Sequence, residues 1–136
     1  GTSNGLRLRV PHISWNVINP PKGISWKESA LFSQMKPGSF CYFVHSYHCV
    51  PSDKKVTAAV TPFGDNHIVS SIQKDNILGV QFHPEFNDAI MKAYLEVQAP
   101  DLEKENLDSA ALIAGVEPAP EASSLLKRFS ELVLQR

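Results

Sequence analysis

The chain has 136 residues, of which 43% are hydrophobic and 20% are charged, the balance expected of one modest globular domain. Its formal net charge of -1 gives no electrostatic reason to expect binding to nucleic acid or to an anionic membrane. No apolar run approaches the roughly 20 residues that a membrane-spanning helix needs.

The start of the chain and its two cysteines indicate in which cellular compartment the protein is expected. Residues 1–5 are small and polar, which is typical of a cloning remnant or a cut end and unlike a signal peptide. Cys41 and Cys49 fit no common zinc spacing, so the expected setting is a reducing cytoplasm. Spacing alone leaves a disulfide across the intervening turn open.

Residues 6–85 are predicted to be mostly β-structure. Ile13, Trp15 and Val17 share one face of an extended segment, and Gly64-Asp65-Asn66 is a plausible hairpin turn. The spacing within 27–35 predicts a short helix or turn. The other predicted strands span 6–10, 39–49, 56–62, 67–73 and 77–82, the last of them as a buried strand.

The remainder of the chain has helical periodicity. A first helix is predicted over 88–97, capped by Asn87 or Asp88 and ended by Pro100. A second is predicted over 102–114, with Gly115 as its stop signal. A third covers 122–134 and has an apolar stripe, which we expect to pack in the core, with a partner interface as the alternative. That stripe is Leu125, Leu126, Phe129, Leu132 and Val133.

A histidine and a carboxylate lie two residues apart at the end of the last predicted strand. On extended backbone, positions i and i+2 point the same way, so Glu85 can orient the imidazole of His83. Such a pair is two thirds of a nucleophilic triad. The alternative is a structural pairing at a strand end. The position after a buried strand favours catalysis, because α/β proteins place their sites at carboxyl ends of strands.

The segment His45-Ser46-Tyr47 ends the aromatic strand predicted over 39–49. It is interpreted either as a strand end that reaches water or as a second wall of the same pocket. Ser46 is not expected to be a nucleophile, because His45 is adjacent to it and neighbouring strand residues point to opposite faces.

Metal and thiol chemistry are weighed against ordinary structural roles. His45, His48 and His83 would be the ligands of a metal-dependent hydrolase, but no metal-binding motif accompanies them, and we expect neither a metal nor a cofactor. Cys41 is expected to be an inert core residue and Cys49 to be more accessible. Neither cysteine lies between glycines on a strand-to-helix turn, where a nucleophile would stand.

Three motifs in order carry a resemblance to a known family. Gly79 to Glu85, Gly-Val-Gln-Phe-His-Pro-Glu, resembles the segment that closes the catalytic triad in class I glutamine amidotransferases. Tyr42 to Tyr47 and Val10 to Asn16 resemble segments of one branch, the glutaminase subunit of imidazole glycerol phosphate synthase in histidine biosynthesis. The resemblance covers about residues 8–86.

The resemblance implies an α/β, flavodoxin-like fold and the hydrolysis of glutamine to glutamate and ammonia. The residue matching His83 would shuttle protons and the residue matching Glu85 would orient it. The segment matching His45, Ser46 and Tyr47 would line the glutamine site. Ammonia would then pass to a synthase subunit of the cyclase kind.

The sequence also departs from the family's pattern. It contains no Gly-x-Cys-x-Gly nucleophile elbow, Ser14 replaces a usual glycine, and a divergent helical tail spans 100–136. We therefore expect a single but partial amidotransferase domain, the C-terminal half, that is inactive alone. A half-domain leaves an uncovered core face, so we expect either the missing N-terminal half or a second copy to cover it. A non-catalytic interaction domain that retains the fold is the alternative function.

Overall fold

The computed structural model describes residues 2–3 and 5–135 of the chain; the expectation about residues 1–5 lies partly outside them. These residues form seven strands and three helices in the order β-rich segment, then helices, which confirms the predicted α/β class. The strands are β1 Thr2–Ser3, β2 Leu6–Arg7, β3 His12–Ile18, β4 Ser39–His45, β5 Thr57–Phe63, β6 Asn66–Lys74 and β7 Ile77–Val80. The helices are α1 Asp88–Lys104, α2 Ser109–Ala114 and α3 Pro120–Leu134.

Two antiparallel units form the body of the described chain. Strands β3 and β4 make a two-stranded ribbon, and β5, β6 and β7 make a three-stranded meander. The predicted hairpin between β5 and β6 is confirmed, with Gly64 at a φ of +63° in its two-residue turn. The ribbon and the meander are joined where Asn19 and Val60 exchange two backbone hydrogen bonds of 2.9 and 2.8 Å.

The prediction that residues 77–82 form a buried strand is wrong. Strand β7 ends at Val80, pairs with β6 and has no second partner strand among the described residues. Ile77 is 69% exposed. An apolar run of this length fits a half-covered edge strand as well as a buried one, and the sequence period does not separate them.

The first helix is longer than predicted. Helix α1 continues past Pro100 to Lys104. Pro100 is exposed, as is Glu96 one turn earlier, so water can reach the carbonyl group that the proline leaves without an N–H donor. The predicted cap is confirmed at Asn87, whose Oδ1 accepts from the amide of Ile90 over 2.8 Å. Helix α2 is shorter than predicted and ends, as expected, at Gly115.

The core lies between the inner face of the ribbon, the meander and α3. Phe43, Ile18 and Phe32 are fully buried there, and Trp26 donates its indole N–H to the carbonyl of Ala58 over 2.8 Å. The rest of the cluster is Leu31, Met35, Cys41, Ala59, Phe82, Ala122 and Leu125. This core fixes β4, which is the strand on which the candidate site depends.

The stripe on α3 is buried only in part, so the expectation that it packs in the core holds for some members and is wrong for others. Leu125 is buried and Leu132 packs against the core cluster, whereas Leu126, Phe129 and Val133 are exposed. Helix α3 packs on β4, and the face that it buries is narrower than the stripe that the sequence predicts.

Side chains on the outer face of the ribbon are apolar and partly uncovered. Ile13 lies opposite Val44 and Val17 lies opposite Phe40 in the pairing of β3 with β4. Ile13 and Phe40 are 54% and 55% exposed. Exposed apolar side chains grouped on one sheet face are typical of a surface that a partner covers.

Candidate functional site

The imidazole of His83 is oriented by Glu85. Their side chains meet at 2.7 Å between Nδ1 of the histidine and Oε1 of the carboxylate. Both groups reach solvent, with 38% of the His83 side chain and 54% of the Glu85 side chain exposed. The two side chains meet, as the sequence predicted, but they do so across a turn at Pro84 and Glu85 and not on the extended backbone that the prediction assumed.

The ionisation state of Glu85 determines which nitrogen of His83 carries the proton. Burial works to raise the pKa of this carboxyl group, but the hydrogen bond from His83, a local backbone hydrogen bond and the attraction of His83 outweigh it and hold the pKa below its usual range. An ionised carboxylate only accepts hydrogen bonds, so the proton of the neutral imidazole lies on Nδ1. Nε2 is left with a free lone pair, which is the arrangement of a general base.

Strand β4 positions His83. The amide of His83 donates to the carbonyl of Tyr42 over 2.9 Å in an isolated antiparallel bridge. After Pro84 the chain turns back, with the amide of Phe86 donating to the carbonyl of His83 over 3.2 Å. Helix α1 begins two residues later, so the pair occupies a short turn between the ribbon and the helix.

An aromatic cluster supports this turn. The Phe86 ring lies edge-on to the His83 ring at 5.4 Å and contacts the Tyr42 ring at 5.1 Å. Trp15 on β3 and Tyr94 on α1 complete the cluster, at 5.5 Å from Tyr42 and 6.3 Å from Phe86. Burial, followed by the nearby Tyr94, raises the pKa of the Tyr42 hydroxyl group. Sequence reasoning did not assign Phe86 or Tyr42 to the site, although both stand beside or within the motifs it singled out.

The second predicted segment lies at the end of β4. His45 is the last residue of the strand, and Ser46 and Tyr47 follow it as exposed residues, Tyr47 at 88%. Because side chains alternate along a strand, His45 and Tyr42 point to opposite faces of β4. The imidazole of His45 accordingly contacts Phe43 and His12 on the inner face, on the side of the ribbon away from His83.

A groove lies beside the turn, on the outer side of the ribbon. It has a volume of about 560 Å³ and runs between β3 and the helices α1 and α2, with Trp15, Tyr42 and Tyr94 in its wall. A smaller cavity of about 140 Å³ lies against β6 and β7, next to Cys49. Neither is lined by His83, Glu85 or the His45–Tyr47 segment.

The two cysteines lie in different environments. Cys41 is fully buried, which confirms its predicted place in the core. Burial, followed by the charge of Glu121, raises the pKa of its thiol group to about 12. Cys49 is exposed, as expected, and pairs with Val69 in an isolated bridge. Both thiols are free, so the disulfide left open by their spacing is not formed.

Two further features of the described residues bear on function. Residues 2–3 and 5–135 contain no group of three or more histidine, cysteine, aspartate or glutamate side chains arranged to hold a metal ion. Within the same part of the chain, no helix combines the length and the apolar character that crossing a membrane requires.

A histidine hydrogen-bonded to a carboxylate, carried on an α/β unit, is an arrangement found in the acid–base part of triad-type hydrolases. Comparison with known proteins identifies the family. The family profile described as "Glutamine amidotransferase class-I" matches residues 14–98. The chain therefore belongs to the class I glutamine amidotransferase family, as the sequence motifs predicted.

Three curated relatives with the same description match part of the chain. The chain is 46% identical over 84 residues to imidazole glycerol phosphate synthase subunit HisH of Pelagibacter ubique, which covers 62% of this chain and 38% of the relative. It is 48% identical over 80 residues to the protein of the same description from Pyrococcus furiosus, covering 57% of this chain and 38% of that protein. The Aquifex aeolicus counterpart is 44% identical over 82 residues, with coverage of 59% and 36%.

A solved structure supports the fold. A glutamine amidotransferase from Thermotoga maritima superimposes with a TM-score of 0.60 at 18% identity, over 90% of this chain and 49% of that one. At that identity the likeness bears on the fold alone, and it confirms the expected class I amidotransferase architecture. The chain spans less than two fifths of the length of the curated relatives named above.

Proposed function

We propose that this chain supplies the acid–base half of a glutaminase of the imidazole glycerol phosphate synthase kind, with His83 as proton shuttle and Glu85 as its orienting carboxylate. The observation that carries the proposal is the 2.7 Å hydrogen bond between the two side chains, which leaves Nε2 of His83 free to accept a proton. The substrate is glutamine, and the product ammonia is passed to a cyclase-like synthase subunit.

The proposed reaction uses a cysteine nucleophile that lies on residues outside this sequence. Nε2 of His83 takes the thiol proton as the sulfur attacks the side-chain amide carbon of glutamine. The imidazolium then gives that proton to the leaving nitrogen, and ammonia departs as the C–N bond breaks. Water, deprotonated by the same nitrogen, hydrolyses the thioester to glutamate and restores the thiol. Glu85 stays ionised and stabilises the imidazolium throughout.

We propose that the chain by itself lacks the nucleophile for these steps. Cys41 is buried as a neutral thiol, and neither cysteine is flanked by the glycines of a nucleophile elbow. Without a nucleophile there is no covalent path, so we propose that the 136-residue chain turns over no glutamine alone. The exposed apolar residues Ile13 and Phe40 on the ribbon support a covering partner, which we propose is the nucleophile-bearing half.

The segment His45-Ser46-Tyr47 is proposed to line the glutamine site. Its place at the end of β4 supports this, because the backbone of the same strand holds His83 through the carbonyl of Tyr42. The proposed setting is the cytoplasm, and the free thiols of Cys41 and Cys49 suit its reducing conditions.

Fusion to a nucleophile half tests the proposal. The part of the Pyrococcus furiosus relative that precedes the matched region would be joined to the start of this chain, and glutamate release would be measured for the fusion and for the 136-residue chain. We expect turnover by the fusion and none by the chain. Glutamate release by the chain alone, abolished when Cys49 is replaced by serine, would contradict the proposal.

The exposed apolar face of the ribbon favours a second candidate, a non-catalytic interaction domain that retains the amidotransferase fold. This candidate predicts that the fusion binds a synthase partner but releases no glutamate. A folded, inactive fusion whose added nucleophile cysteine also fails to react with a glutamine-analogue electrophile would favour it.

A further inference from the structure

Two histidines on the inner face of the ribbon form a directly bonded pair. His12 on β3 lies opposite His45 on β4, and Nδ1 of His12 is 2.9 Å from Nε2 of His45. His12 is only 6% exposed, and its ring stacks on Phe43 at 5.0 Å and contacts Phe63 at 4.8 Å. Packing on both sides therefore restrains the His12 ring.

The neighbouring groups fix where the protons lie. Nδ1 of His45 is 3.0 Å from the carbonyl oxygen of Tyr47, which can only accept, so Nδ1 carries the hydrogen. In the neutral ring Nε2 of His45 is then an acceptor, and the hydrogen between the two rings belongs to Nδ1 of His12. The structure thus assigns the Nδ1–H tautomer to both histidines.

Asn16 lies at the other end of this chain of hydrogen bonds, next to His12. Nε2 of His12 is unprotonated and lies 3.4 Å from Nδ2 of Asn16. The orientation of the Asn16 amide follows from two further bonds: Oδ1 accepts from the amide of Val17 and Nδ2 donates to the carbonyl of Pro62, each over 2.8 Å. Donors and acceptors match along the whole series only when both imidazoles are neutral.

We propose that His12 and Asn16 are positioning residues for the glutamine-lining segment His45-Ser46-Tyr47, acting through the relay Asn16 to His12 to His45 to the Tyr47 carbonyl. This inference rests on the proposed function of that segment. It also gives His45 a role suited to its place: its ring points away from His83, and it serves the site by holding the backbone of Tyr47.

Protonation of His45 breaks the relay, because two N–H groups then face one another across the 2.9 Å contact. Protonation of His12 breaks it at the other end, because its Nε2–H then faces the Nδ2 donor of Asn16, 3.4 Å away. The surroundings oppose protonation. Burial, followed by the charge of the other ring, lowers the pKa of His12, and burial together with His48 lowers the pKa of His45 against the opposing effect of the Tyr47 carbonyl. On β5, Phe63 packs against His12 and the Pro62 carbonyl accepts from Asn16, and neither group carries a charge.

The tautomers test the relay directly on the chain. Neutral histidine in water favours the Nε2–H form, so long-range ¹H–¹⁵N correlation spectra of the ¹⁵N-labelled chain at pH 7.5 distinguish the proposal from an unconstrained ring. We expect Nδ1–H signatures for His12 and His45 and the ordinary Nε2–H form for the exposed His67. An Nε2–H form of His45 overturns the proposal without bearing on the function of His83.

Two substitutions of His12 separate the hydrogen bond from packing. His12→Phe keeps an aromatic ring against Phe43 and Phe63 but removes the donor, whereas His12→Asn keeps an N–H near the position of Nδ1. In the fused enzyme we expect His12→Phe to raise the KM for glutamine by roughly three- to tenfold, the range of one hydrogen bond, with kcat little changed, and His12→Asn to recover most of the loss.

The outcomes distinguish the two proposals. Equal KM values for His12→Phe and the unsubstituted fusion, with glutaminase activity intact, overturn the positioning role and leave the proposed function in place. A fusion without glutaminase activity whose His12 and His45 still show Nδ1–H signatures refutes the proposed function, and with it the link from the relay to glutamine.

Discussion

The amide of His83 donates a 2.9 Å hydrogen bond to the carbonyl of Tyr42. This contact ties the proposed proton shuttle to β4, a strand whose inner side chains Cys41 and Phe43 are fully buried. The strand that precedes His83 in sequence, β7, is an exposed edge by comparison. The position of the shuttle therefore depends on the packing of β4.

The role of Glu85 predicts a large catalytic loss on neutralisation. Glu85→Gln removes the charge that holds the Nδ1–H tautomer of His83 and stabilises its protonated form, so kcat of the fused glutaminase should fall by roughly 10²- to 10⁴-fold. The matched control is Glu96→Gln on the exposed face of α1, which should stay within about twofold. A loss for Glu85→Gln no greater than for the control would exclude the orienting role.

The lowered pKa of Glu85 predicts a pH dependence with a definite sign. Below the folded-state pKa the carboxyl group is protonated and the charged hydrogen bond to His83 is lost. The stability that this pair contributes is fully present above the ordinary value of 4.5 and disappears as the pH falls through the lowered folded value. Carbon-detected NMR titration of the Glu85 carboxyl group should give a midpoint below 4.5, and His83→Ala should bring it back toward that value. A midpoint unaffected by His83→Ala would contradict the pairing.

Two phenylalanines on β4 predict opposite sensitivities to truncation. Phe43 is fully buried against His12 and Phe82, so Phe43→Ala should lower the free energy of unfolding by about 3–5 kcal/mol. Phe40 on the outer face is 55% exposed, and Phe40→Ala should cost less than about 1 kcal/mol in the isolated chain. Urea denaturation measures both. Similar losses for the two variants would mean that the outer face is covered in the isolated chain as well.

The cysteines are predicted to differ in reactivity. Iodoacetamide at pH 8 should label Cys49 in the native chain and spare Cys41, whose thiol is buried with a pKa raised to about 12. Both should react in denaturant. Peptide mass spectrometry locates the label, and native labelling of Cys41 at a rate near that of Cys49 would contradict the packing around β4.

The sequence predicted features that depend on local chemistry. The two-residue turn before Asn66 follows from the backbone freedom of Gly64, and the start of α1 follows from the side-chain oxygen of Asn87. The contact between His83 and Glu85 was predicted from their spacing, although it forms across a turn and not on the extended backbone that was assumed. The family followed from three motifs that occur in the expected order along the chain.

The features that the sequence did not predict correctly depend on tertiary contacts. An apolar run such as that of β7 is compatible with either an edge strand or a buried strand. The two are distinguished only by the strand pairing, in which β7 pairs with β6. Pro100 remains inside α1 because its surroundings are exposed, a property of packing rather than of sequence. The His12–His45 pair was not predicted, because the two residues are 33 positions apart and no local sequence pattern specifies the register of β3 against β4.

Replacement of His83 tests the central claim most directly. In the fused glutaminase, kcat for glutamine would be compared between His83→Ala and His67→Ala, which removes an exposed imidazole outside both motif segments, on β6. We predict a loss of at least roughly 10²-fold for His83→Ala and a change within about twofold for His67→Ala. Equal activity of the two variants would show that His83 is not the proton shuttle.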